Sequence, residues 1–166
     1  MMIRFMGIAL GGAVVTLFGV PGLAKSSLGI FGEWGAFAEP QKSLCYAITQ
    51  AQPDPRVRER SPYLTVSTWP DRRINGQLYF RLARTPASPS AVSARIGGRS
   101  FRLRAGPAGA WTQDARMDAA MKAAMRSAPK LSLYYSDDRG RKYSERYKLK
   151  GAASALDAAT LACART

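Results

Sequence analysis

The chain has 166 residues, with 25 Lys and Arg against 11 Asp and Glu, no His, and a formal charge of +14. Without histidine, a Ser-His-Asp or Cys-His site is excluded, and the commonest general base and metal ligand is missing. The few carboxylates stand mostly singly beside arginines, so no acid/base pair is obvious beyond Asp137-Asp138.

Residues 1–24 have the three parts of a secretory signal: Arg4 in MMIRFM, the apolar run GIALGGAVVTLFGVPGL, and small residues at Gly22 and Ala24 spaced for cleavage after Ala24. The alternative is a retained anchor, but the run from Gly7 to Ala24 is near the lower limit for a spanning helix and contains Pro21. Cleavage leaves residues 25–166, a single β-rich exported domain of ordinary size, still strongly basic. Cys45 and Cys163 both lie in that part. An even pair in an oxidising compartment predicts a structural disulfide. Two bonded thiols leave no sulfur ligand for zinc. No metal or cofactor is implied.

Further along, residues 43–50, 63–69 and 77–83 alternate as half-buried strands do. Between the first two, the segment 52–61 is polar, broken by proline and rich in arginine (Arg56, Arg58, Arg60). It reads as a connector and ranks second as a binding loop. Between the next two, the turn signal Asn75-Gly76 sits in a seven-residue stretch, PDRRING, and predicts a longer loop. Residues 91–96 and 100–104 flank Gly97-Gly98 as a tight hairpin, with Phe101 and Leu103 on one face and Arg102 and Arg104 on the other.

Residues 114–127 place Met117, Ala120, Met121, Ala124 and Met125 on one helical stripe, capped by Thr112 or Asp114 and stopped by Pro129. Such a stripe is core packing before it is an adaptable binding surface. Residues 131–135 and 142–149 form a last strand pair around Asp137–Gly140. A second helix over 154–162, with a capping box at Ser154 and Asp157, carries Cys163 at its end and would be stapled to the Cys45 strand.

In RKYSERYKLK, Tyr143, Glu145, Tyr147 and Leu149 share one parity, while Lys142, Arg146, Lys148 and Lys150 share the other. The first set reads as the core side, so Glu145 must meet a partner such as an arginine or sit at a wet edge. The second is a comb of positive charge. The pattern as a whole predicts a mainly β fold with two short helices, an antiparallel β-sandwich or barrel-like single domain with an α+β tendency.

Several of these stretches together resemble the invasion-associated locus B family of exported alphaproteobacterial proteins. The resemblance rests on Phe31-Gly32-Glu33-Trp34, Cys45 about ten residues later, TVSTWP, the Gly140–Tyr143 hairpin, and Leu149-Lys150-Gly151-Ala152 followed by Ala155-Leu156-Asp157-Ala158 and Cys163. It implies a periplasmic or envelope-associated β-rich domain with a cysteine pair. The family offers no catalytic or ligand motif to transfer, and Gly35-Ala36-Phe37 is less polar than its usual continuation.

The expected function is therefore a non-enzymatic, exported binding module for an unknown protein or an anionic glycolipid or lipid surface, peripheral to a membrane. Its candidate contacts are Arg102, Arg104, Lys142, Arg146, Lys148 and Lys150. Export argues against nucleic acid, the usual partner of a basic chain. Two other expectations stand beside it: an enzyme on envelope glycans using Asp137 and Glu145, and a periplasmic assembly factor.

Overall fold

A computed structural model describes residues 25–55, 61–87, 92–107 and 109–164. The signal-segment reading, Arg56, Arg58, Arg60 and Ala91 lie outside the described residues. None of the described helices is long and apolar enough to cross a membrane.

The chain builds two antiparallel sheets and two helices, a sandwich-like arrangement and not a closed barrel. The first hairpin joins β1 (Ser26–Phe31) to β2 (Trp34–Glu39) through Gly32 at φ 63°. Then come β3 (Leu44–Gln50), β4 (Tyr63–Trp69) and β5 (Ile74–Arg81) as a meander. The next strands are β6 (Ser93–Ile96), β7 (Arg99–Arg102), β8 (Arg104–Ala105) and β9 (Gly109–Trp111). Helix α1 (Ala115–Ser127) precedes β10 (Lys130–Ser136) and β11 (Lys142–Lys148), and α2 (Ala152–Cys163) ends the fold. The larger sheet runs β1-β2-β3-β4-β5-β9-β8 and the smaller β11-β10-β6-β7.

The larger of two buried hydrophobic clusters lies between them, and a small one surrounds Cys45 and Cys163. Trp34, Leu64, Leu78 and Phe80 of the larger sheet pack with Ile96, Leu131, Leu133 and Tyr147 of the smaller, and Met121, Met125 and Leu156 of the helices close the ends. The methionine stripe of α1 is thus core. Its N-terminus is capped by Asp114, whose carboxylate accepts from the Met117 N–H at 2.8 Å. Helix α2 lies against β1 to β4, and the Cys45–Cys163 disulfide ties its end to β3 across 118 residues of sequence.

Four local expectations are corrected. Asn75-Gly76 is not the turn: Pro70–Arg72 forms one 3₁₀ turn, Arg73 takes the left-handed conformation at φ 55°, and Gly76 sits in a bulged part of β5. The arm 100–104 does not stay in one sheet. It breaks at Leu103, whose N–H donates to the Val92 carbonyl, so Arg102 and Arg104 go to different sheets. Helix α2 begins at Ala152 after Gly151, which leaves Ser154 inside the first turn with no capping bond. Strands β1, β2 and β9 were not foreseen.

Gly151 has φ 91°, and a Cβ there would stand 1.9 Å from the Phe31 carbonyl oxygen; a Cβ on Gly32 would stand 2.9 Å from the Lys150 carbonyl oxygen. Only glycine permits the two backbones to cross so closely.

Candidate functional site

Strand pairing decides which basic side chains share a surface. In the smaller sheet, Lys130 pairs with Lys148, Ser132 with Arg146, Tyr134 with Ser144, and Ser136 with Lys142. Across β10 and β6, Ser132 faces Arg95 and Tyr134 faces Ser93; across β6 and β7, Arg95 faces Ser100 and Ser93 faces Arg102. Since alternate residues share a face, the outer side carries six exposed cations: Lys130, Lys142, Arg146, Lys148, Arg95 and Arg102. Serines and Tyr134 fill the positions between them. No acidic residue occupies this grid.

Among the described residues, the only ion pair of the six joins Lys148 to Glu33, at one corner, with both side chains about half exposed. The Arg95 guanidinium lies 5.8 Å from the centre of the Tyr134 ring, within cation–π range. A shallow hollow of about 420 Å³ opens at the Lys142 end, lined by Ser93, Tyr134, Ser136 and Lys142 with Ala87 and Tyr143.

Rigid strands hold this face, and β11, the edge strand, is partly closed: the Gln52 N–H donates to the Arg146 carbonyl at 2.7 Å and the Trp34 indole N–H to the Lys148 carbonyl at 2.9 Å. These contacts cover an edge that would otherwise recruit another strand.

Of the residues singled out from sequence, Lys142, Arg146, Lys148 and Arg102 come together. Arg104 faces outward on the larger sheet beside Trp111, and Lys150 lies past the end of β11, exposed. Arg95 and Lys130 were missed. The parity of ARI and KLSL carried the signal, but only the register of four strands shows that they join the comb.

The carboxylates are placed differently. Glu145 is buried, with no cation against it. One oxygen accepts from the Ala83 N–H and the Tyr135 hydroxyl, both at 2.8 Å, and the other from the Tyr147 hydroxyl at 2.8 Å. Burial pushes its pKa above the usual carboxylate range and these three donors oppose that rise. Burial also raises Tyr135 and Tyr147, with the carboxylate beside them adding to it. Of the two expectations for Glu145, a partner or a wet edge, the first holds, with two tyrosines and a backbone N–H in place of an arginine.

Asp137 is buried in the β10–β11 turn, where it accepts from the Arg139 and Arg141 N–H groups, the Arg141 guanidinium at 2.7 Å and the Tyr143 hydroxyl. Burial works to raise its pKa, but the Arg141 N–H, its guanidinium and the Arg139 N–H outweigh burial and hold it below the usual value. It organises the turn. Neither Asp137 nor Glu145 lines the hollow at Lys142 or a second one between Glu33 and Lys148.

One Ser-x-x-Lys spacing occurs, Ser127 to Lys130, but Pro129 intervenes. Ser127 ends α1, where its hydroxyl donates to the Ala124 carbonyl, and Lys130 begins β10. The two are not on one helical turn. Among the described residues no cluster of His, Cys, Asp and Glu is suited to a metal ion.

No protein-family model matches the chain, and no curated protein matches it significantly. Among solved structures, the chain is similar to invasion associated protein b from Bartonella henselae, with a TM-score of 0.63 over 85% of this chain and 99% of that one, at 15% identity. The likeness is one of fold.

Proposed function

We propose that this protein is an exported, non-enzymatic binding module whose smaller sheet adheres to an anionic surface of the cell envelope. The observation that carries the reading is the outer face of β11-β10-β6-β7, six exposed cations on a rigid sheet with no carboxylate among them. A single-sign field of this kind raises the local concentration of anions and releases their counterions on contact. Ser100, exposed, and Ser93, Ser136 and Ser144, partly so, add hydrogen-bond donors for phosphate oxygens, whereas the central Ser132 is buried.

An envelope location is supported by the disulfide, which persists in oxidising compartments, and by the shared fold with a protein named for invasion. The absence of histidine and the structural use of Asp137 and Glu145 favour binding over catalysis.

The test is co-sedimentation with vesicles containing anionic lipid or lipopolysaccharide, against purely zwitterionic vesicles. The wild type is expected to pellet with the anionic vesicles at low salt and to be released at high salt. Combined Arg95→Glu, Lys142→Glu and Arg146→Glu should abolish binding, whereas Arg104→Glu, on the other sheet, should leave it unchanged. No pelleting at low salt, or equal pelleting by the triple variant, overturns the reading.

A further inference from the structure

The outer face of the larger sheet is built in another way. Along one cross-strand row stand Thr65, Tyr79, Trp111 and Arg104, on β4, β5, β9 and β8. The rings of Tyr79 and Trp111 are 5.2 Å apart at their centres, tilted by 41°. Both lie down on the sheet instead of projecting from it, because each has a glycine floor. A Cβ on Gly109 would stand 2.5 Å from the Tyr79 ring, and a Cβ on Gly106 would stand 2.7 Å from the Trp111 ring. Tyr63 packs edge-on to Tyr79, and the Arg81 guanidinium lies 5.9 Å from the Tyr63 ring.

The rings are partly buried and partly exposed on this face. A pair of adjacent, partly exposed aromatic rings on a sheet face has a definite chemical complement. The apolar C–H face of a sugar ring stacks on it, while the sugar's hydroxyls bond to polar side chains at the margin. Thr65 and the two arginines supply that margin. Bilayer insertion would need rings that project, and these are laid against the backbone.

The charge narrows the choice. Arg81 and Arg104 flank the platform without an ion pair, and no carboxylate stands in the row among the described residues. We infer that the Tyr79–Trp111 platform, with Arg81 and Arg104 at its margin, is a binding site for an acidic glycan. The rings stack on the sugar faces and the guanidiniums pair with its carboxylates, in the forked geometry that arginine offers. This site is on the opposite sheet from the cationic grid and does not depend on it.

Calorimetric titration with hyaluronan oligosaccharides, whose every second sugar is a uronic acid, tests the inference, with neutral dextran oligosaccharides in parallel. The wild type should bind the acidic oligosaccharide and bind dextran at least about tenfold more weakly. Trp111→Ala should weaken acidic binding by about tenfold or more, with an unchanged far-ultraviolet circular dichroism spectrum. Gly106→Ala keeps the indole but tips it off its floor, and should weaken binding in the same direction. Arg104→Glu should reduce it too. The Arg95→Glu, Lys142→Glu, Arg146→Glu variant should bind as the wild type does, even if it loses the vesicles. The inference is overturned if hyaluronan is not bound, if Trp111→Ala binds it as well as the wild type, if that triple variant loses it, or if Trp111 matters only for vesicle or protein contact.

Discussion

Removing the Glu145 carboxylate would leave three donors, the Ala83 N–H and the Tyr135 and Tyr147 hydroxyls, facing a void. Glu145→Ala should cost about 3–5 kcal/mol in urea unfolding. Glu145→Gln separates the charge from the shape. Because burial raises the folded pKa above the unfolded one, the folded state holds the proton more tightly. The stability this contributes is fully present below the unfolded carboxylate range and is lost as pH rises through the raised value. Melting temperatures across acid to neutral pH should therefore fall for the wild type in a window where Glu145→Gln stays flat. Parallel curves would show that the carboxylate does not titrate abnormally. The parity of RKYSERYKLK already put Glu145 inside. Its partners were not legible, because Tyr135 reaches it diagonally from β10, and that diagonal depends on a register no single strand reveals.

Elements that carry their own signals were readable. Helix α1 has its cap, its stripe and its stop in sequence, and Gly97-Gly98, with φ 51° and 81°, makes a two-residue hairpin. The helices also separate core from surface. Met121, fully buried, should cost about 2–5 kcal/mol on change to Ala. The Arg126–Asp157 pair joins α1 to α2, but both side chains are about half exposed. Asp157→Asn should therefore cost no more than about 1 kcal/mol. Denaturant melts of the two variants check the contrast, and a larger loss for Asp157→Asn would mean that the pair orients the helices. Strands β1, β2 and β9 escaped detection for a physical reason. Their sequences contain Gly29, Gly35 and Gly109, which lack both a side chain and β propensity. Neighbouring rings do the packing instead: Phe31 lies against Gly29, Phe37 against Gly35 and Tyr79 against Gly109. One of these glycines, Gly109, also lies beneath the Tyr79 ring of the aromatic platform.

For the whole molecule, the fold class followed from strand count and turn spacing, while the assignment of strands to sheets did not. The chain leaves the larger sheet after β5, returns to it for β8 and β9, and leaves again for β10. That exchange separates Arg104 from Arg102, and so splits what looked like one basic strand into contributions to opposite faces. The disulfide acts at this scale as well. By the chain-entropy account, a loop as long as the one between Cys45 and Cys163 contributes roughly 4–5 kcal/mol through the unfolded state. Reduction should lower the melting temperature markedly without changing the circular dichroism of the folded form. An unchanged melting temperature would mean that the unfolded chain is already compact.

The crossing of Gly32 and Gly151 sets a condition on time. The first hairpin has its backbone seat against residues more than a hundred positions later, so no N-terminal fragment can rehearse that contact as it leaves a ribosome. The chain must be delivered almost entire before its two ends meet.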